Sequence, residues 1–148
     1  MRMNADVSYW QTCYTFILMI ICLHFSIEKI KNLPAAKGIN GEILDFNTLL
    51  TIKRQKIGIV SAGDVAVDLE REINYFIGIE VEIIICCTRS RNVRGSSYRM
   101  IIDKFSKKNQ IIKEVWVNYS QDISDKETIK KQQVSEIVKI ISNEVRTN

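Results

Sequence analysis

Val81-Glu-Ile-Ile-Ile-Cys-Cys-Thr88 is an almost unbroken apolar run, and Arg89-Ser-Arg-Asn-Val-Arg-Gly-Ser-Ser97 follows it directly. A short apolar run without polar alternation marks a strand covered on both faces, as in a parallel sheet between helix layers. Upstream, Ile57-Gly-Ile-Val60 reads as another short strand. Residues 64–77 read as the helix between them, with Val65, Leu69, Ile73, Phe76 and Ile77 on one face and Gly78 as its stop. Downstream, Tyr98, Ile101, Ile102 and Phe105 mark a second helix, and Ile111 to Tyr119 reads as a third strand. Ser124-Asp-Lys-Glu127 is a capping box, and Val134, Ile137, Val138, Ile141 and Val145 follow at helical spacing. The order βαβαβα over residues 56–145 predicts a small three-layer α/β domain with a short, mainly parallel sheet and right-handed crossovers.

A long hydrophobic N-terminal helix is expected to precede that core, within residues 1–33 of a single domain spanning 1–148. Asp6 or Ser8 is placed to cap its start, its end falls at Asn32, and Pro34 lies just beyond. Residues 9–25 are its most apolar part, but Gln11, Thr12, Thr15 and His24 interrupt a marginal membrane span. Asp6 and the charged stretch after Ser26 fit a signal peptide poorly. The reading is a packing helix or homodimer seam, with membrane association through residues 9–25 as its alternative. Gly38 and Gly41 mark turns, and Ile43 to Ile52 suits a short helix or an edge strand leading into the core.

At 148 residues the chain can bury a sizeable core, and 46% hydrophobic with 26% charged residues is ordinary for a soluble globular protein. The net charge of +4 is mild, but its distribution is uneven. Residues 61–82 carry six acids against one base, and residues 89–113 carry eight bases against one acid. That pattern favours a local basic site over a uniformly basic surface. Tyr98 and Phe105 fall within the basic stretch at a spacing that suits a buried helix face better than a base-stacking platform, which disfavours nucleic acid. Cys13, Cys22, Cys86 and Cys87 form no C-x-x-C pair, and His24 is the sole histidine. The expectation is reduced core thiols in a cytoplasmic protein, with no zinc site and no Ser-His or Cys-His pair.

The stretch Ile57-Gly-Ile-Val-Ser-Ala-Gly-Asp-Val-Ala66 resembles the opening of a Rossmann-type nucleotide-binding βαβ unit, whose pattern is G-x-G-x-x-G/A. Ser61 stands at the first Gly position, Gly63 at the second and Ala66 at the third. The resemblance covers about residues 56–91 and implies a parallel strand–helix–strand unit with a ligand at its C-terminal edge. At the end of the next strand the family keeps its ribose-reading residue. Thr88-Arg-Ser-Arg91 occupies that place here, which implies an NADP-like dinucleotide rather than NAD.

Independently of that resemblance, ligands of parallel α/β sheets bind beyond the carboxyl ends of the strands. The candidate binding residues are therefore Ser61, Gly63, Thr88, Arg89, Ser90, Arg91, Arg94, Ser96 and Ser97. They supply guanidinium forks, hydroxyls and Gly-permitted backbone amides, an inventory suited to an anionic nucleotide-like or phosphorylated ligand. Asp64 and Asp122 are the candidate catalytic carboxylates, and no residue pattern assigns them a reaction. The competing expectation is a non-catalytic interaction or regulatory protein whose basic loop meets an acidic partner or nucleic acid.

Overall fold

The computed structural model describes residues 17–37, 43–61, 65–88, 94–106, 112–114 and 123–146. The chain divides into two compact units, Met1–Gln110 and Ile111–Asn148. In the first, residues 17–24 form helix α1, followed by strands β1 (Lys29–Lys37), β2 (Ile43–Ile52) and β3 (Gln55–Val60). Helix α2 (Ala66–Gly78), strand β4 (Ile83–Cys86) and helix α3 (Ser97–Phe105) complete it. The second unit carries helix α4 (Ile123–Arg146). The fold is α/β, built on one four-stranded mixed sheet in the order β1-β2-β3-β4.

The expected strand–helix–strand unit is present. β3 and β4 are parallel neighbours in the register Ile57↔Ile83 to Val60↔Cys86, and α2 connects them. The sheet as a whole is not mainly parallel, because β1 pairs with β2 and β2 with β3 in antiparallel fashion. The cause lies in a turn that the sequence disguises. Lys53 and Arg54 both take left-handed backbone, with φ of 50° and 67°, as a two-residue type I′ hairpin requires. Neither residue type advertises such a turn, which normally calls for Asn-Gly. Ile43–Ile52, read as a short helix or an edge strand, is thereby an inner strand with partners on both sides.

The helix expected to run to Asn32 ends at His24 instead, and Lys29 to Leu33 belong to β1. His24 Nδ1 donates to Ile20 O at 2.9 Å in the last turn of α1, and Glu28 N donates to Thr51 O at 2.8 Å, which aligns the chain for β1. Pro34 is accommodated because β1 is an edge strand, with a register irregularity between Pro34 and Ala36. Among the described residues, no helix is long and apolar enough to cross a membrane. Of the strand expected at 111–119, only 112–114 are described and they lie in no strand; the rest falls outside the described residues. α4 begins at Ile123, so Ser124 sits inside its first turn rather than at its cap.

α2 packs on the sheet face carrying Asn47, Gly58 and Val60. A Cβ at Gly58 would stand 2.9 Å from two carbons of the Phe76 ring, so the bare glycine permits this close helix–strand approach. The buried stripe of α2 is Leu69, Glu72, Ile73 and Phe76, at i, i+3, i+4 and i+7. Val65 and Ile77, expected on that stripe, are exposed, and Glu72 takes a place within it. On the opposite sheet face Leu50, Ile52, Ile57 and Ile59 are almost fully buried. α3 lies beside α2, with Phe105 buried and Lys104 Nζ paired to Glu70. That pair is partly exposed and contributes at most about 1 kcal/mol.

Cys22 departs from the expected core thiols in being exposed; Cys86 and Cys87 are half-buried, and Cys13 falls outside the described residues. Burial pushes the Cys86 thiol up to about 11 from its ordinary 9.0. A raised thiol pKa in the folded state stabilises the fold fully below about pH 9, and that contribution is lost as pH rises through about 11. The urea midpoint of the wild type should therefore fall faster between pH 9 and 11 than that of Cys86→Ala. At pH 8, iodoacetamide should label Cys22 well before Cys86.

Candidate functional site

The parallel register determines which loops share an edge. Val60 pairs with Cys86, so Ser61 leaves β3 and Cys87-Thr88 leaves β4 at the same end of the sheet. Ser61 is buried and Thr88 is half-buried. Both residues therefore follow the paired ends of β3 and β4. Gly63, Asp64, Arg89, Ser90, Arg91 and Asp122 lie outside the described residues.

From residue 94 the chain turns into α3. Gly95 takes φ of 81°, a conformation that favours glycine, and Ser96 then caps the helix by accepting from Arg99 N at 3.2 Å. Arg94, Gly95, Ser96, Arg99, Met100 and Asp103 line an open depression of about 490 Å³ around this helix start. Arg94 is exposed and makes no ion pair among the described residues. Arg99 Nε donates to Asp103 Oδ2 at 3.0 Å, which partly neutralises the second guanidinium. Backbone amides at the helix start and two arginines make the depression electropositive. Ser61 and Thr88 are not among its lining residues. Ser97, the first residue of α3, is buried and does not line the depression, and its Oγ has no hydrogen-bond partner among the described residues.

One polar group at this end of the sheet was not among the sequence candidates. Asn47, which pairs with Val60, donates from Nδ2 to Glu72 Oε2 of α2, and Arg71 Nε donates to Glu72 Oε1 at 3.0 Å. Arg71 also reaches Asp68 Oδ1 at 3.0 Å. On the opposite face Thr48 Oγ1 donates to Asn32 Oδ1 at 2.8 Å. The sequence held a signal for this cluster. Glu72 falls at i+3 from Leu69 and four residues before Phe76, inside the apolar stripe, and Asn47-Thr48 stands between Phe46 and Leu49-Leu50. Glu72 is one of the six acids of residues 61–82, and the charge count alone does not single it out.

Comparison with protein-family models, curated proteins and solved structures found no match, so the site stands on its own geometry.

Proposed function

We propose that this chain binds a small anionic, nucleotide-like or phosphorylated ligand at the C-terminal edge of β3 and β4, in a Rossmann-like three-layer domain. The observation that carries the reading is the parallel pairing of Val60 with Cys86, which puts Ser61 and Thr88 at one sheet edge. After Thr88 the sequence runs through Arg89, Ser90 and Arg91 to Arg94 and the Ser96-capped start of α3. Gly63 and Asp64 follow Ser61. The three-layer reading is supported by α2 and α3 lying side by side and by burial on both faces of β2 and β3. An NADP-like dinucleotide is one member of the ligand class. Asp64 and Asp122 are the carboxylates a reaction would draw on, and no reaction is assigned. Exposed Met19 and Leu23, one turn apart on α1, support the homodimer seam. The free thiols of Cys22 and Cys86 support a reducing, cytoplasmic setting.

A second reading has its own support in the exposure of Arg94 and the openness of the depression at α3. There the basic segment meets an acidic partner or nucleic acid, with no small ligand. A thermal-shift panel of NADP(H), NAD(H), mononucleotides and sugar phosphates separates the two. At about ten times its Kd, at least one compound should raise Tm by roughly 3–5 °C, and Arg91→Ala/Arg94→Ala should abolish the rise. A flat panel, together with nucleic-acid retention that weakens steeply with salt, favours the second reading.

A further inference from the structure

β1 closes the sheet order on one side, and its first four residues, Lys29, Ile30, Lys31 and Asn32, are all exposed. Successive side chains of a strand point to opposite faces, so both faces of the sheet are open at this corner. The strand at the other end of the order, β4, is half-buried throughout. Ile30 is 54% exposed, whereas Leu50 and Ile57, which continue its row across the sheet, are wholly buried.

The corner is also basic. Lys29 and Lys31 share one face, and Lys53 and Arg54 are exposed in the turn that follows β2. Lys29 pairs with Thr51, two residues before that turn. Across residues 28–32 and 51–54 four bases meet one acid, Glu28, which accepts from the backbone N of Arg54 at 3.3 Å. None of the four basic side chains makes an ion pair among the described residues.

An edge strand leaves a row of N–H and C=O groups without ladder partners and can accept an added strand. Charge decides which strand. A second copy laid antiparallel about Ile30 would set Lys29 against Lys31 of that copy, and like charges directly opposite destabilise a pair. Moving the two-fold further along brings Pro34, which has no N–H, and the irregularity after it into the ladder. An extended segment with acids at alternate positions meets neither obstacle. Its acids fall opposite Lys29 and Lys31, and the residue between them falls opposite Ile30.

We propose that the β1 edge from Lys29 to Asn32 docks an acidic extended peptide by strand addition, in the local pattern acid–apolar–acid. The surface lies at the level of Thr51 and Lys56, away from the Val60–Cys86 end of the sheet, and does not depend on the ligand reading above.

The test is fluorescence anisotropy of two labelled hexapeptides against the full chain at low salt, one alternating glutamate with valine and the other glutamine with valine. The glutamate peptide should bind about tenfold tighter, the value of two or three exposed cross-strand charge pairs. Lys29→Gln/Lys31→Gln alters only exposed side chains and should melt like the wild type, yet reduce that preference to about twofold or less. Amide hydrogen exchange on the wild type reads the backbone. With the glutamate peptide bound, alternate N–H groups between Lys29 and Leu33 should exchange more slowly. Equal affinity for the two peptides, a preference that survives the substitutions, or protection only at residues 94–99 overturns the proposal. Absence of binding up to millimolar peptide does the same. An oligothymidylate that binds these lysines more tightly than the glutamate peptide overturns it in favour of nucleic acid.

Discussion

Phe76→Ala is expected to lower the free energy of unfolding by about 3–5 kcal/mol, a large fraction of the roughly 5–15 kcal/mol that a domain typically has. Phe76 is fully buried, and its ring lies directly on the backbone of Gly58. The contact locks α2 onto β3, and α2 is the connection that makes β3 and β4 parallel. The reciprocal change is informative. Gly58→Ala should cost roughly 1–3 kcal/mol, because its Cβ would meet Cγ, Cδ2 and Cε2 of that ring at about 3 Å. With the ring gone, in Phe76→Leu, the same methyl should be tolerated better. A double-mutant cycle by urea denaturation should then return a coupling of roughly 0.5–3 kcal/mol. Strict additivity would mean that helix and strand do not meet there.

The other large effect concerns the buried carboxylate. Asn47→Leu withdraws a donor from Glu72 and should destabilise the protein by about 3–5 kcal/mol, because a buried charge loses part of its compensation. Glu72→Met strands the Asn47 amide and should cost about 1–3 kcal/mol. Replacing both residues removes the polar demand along with its supply. The double variant should therefore be more stable than Asn47→Leu alone, read again from urea midpoints. A double variant as unstable as the sum of the singles would show that the two side chains act separately.

Local period carried much of this fold in legible form. The apolar run ending in Cys86-Cys87, the Leu69/Ile73/Phe76 spacing and the Gly78 stop together specify strand, helix and strand, and the parallel pair follows from their order. What escaped was non-local or chemically disguised. Lys53-Arg54 makes a type I′ turn without the residues that announce one, so the hairpin and its antiparallel pairings were hidden. Lys29 to Leu33 falls within the helix expected before Pro34, but pairing with Asn47 to Thr51 places it in β1. At the site, the shared edge of Ser61 and Thr88 was readable from topology. The Asn47–Glu72 pair spans 25 residues, and no periodicity within either element announces its partner.

The central claim, an anionic ligand at the C-terminal edge of β3 and β4, is tested most directly by following backbone amide shifts of the full chain during titration with ribose 5-phosphate. Saturable shifts should concentrate at Ser61, Thr88 and residues 94–99, with Lys29, Met19 and Leu23 unmoved. Saturable shifts confined to α1 or β1, or none at any site up to millimolar ligand, would contradict the account.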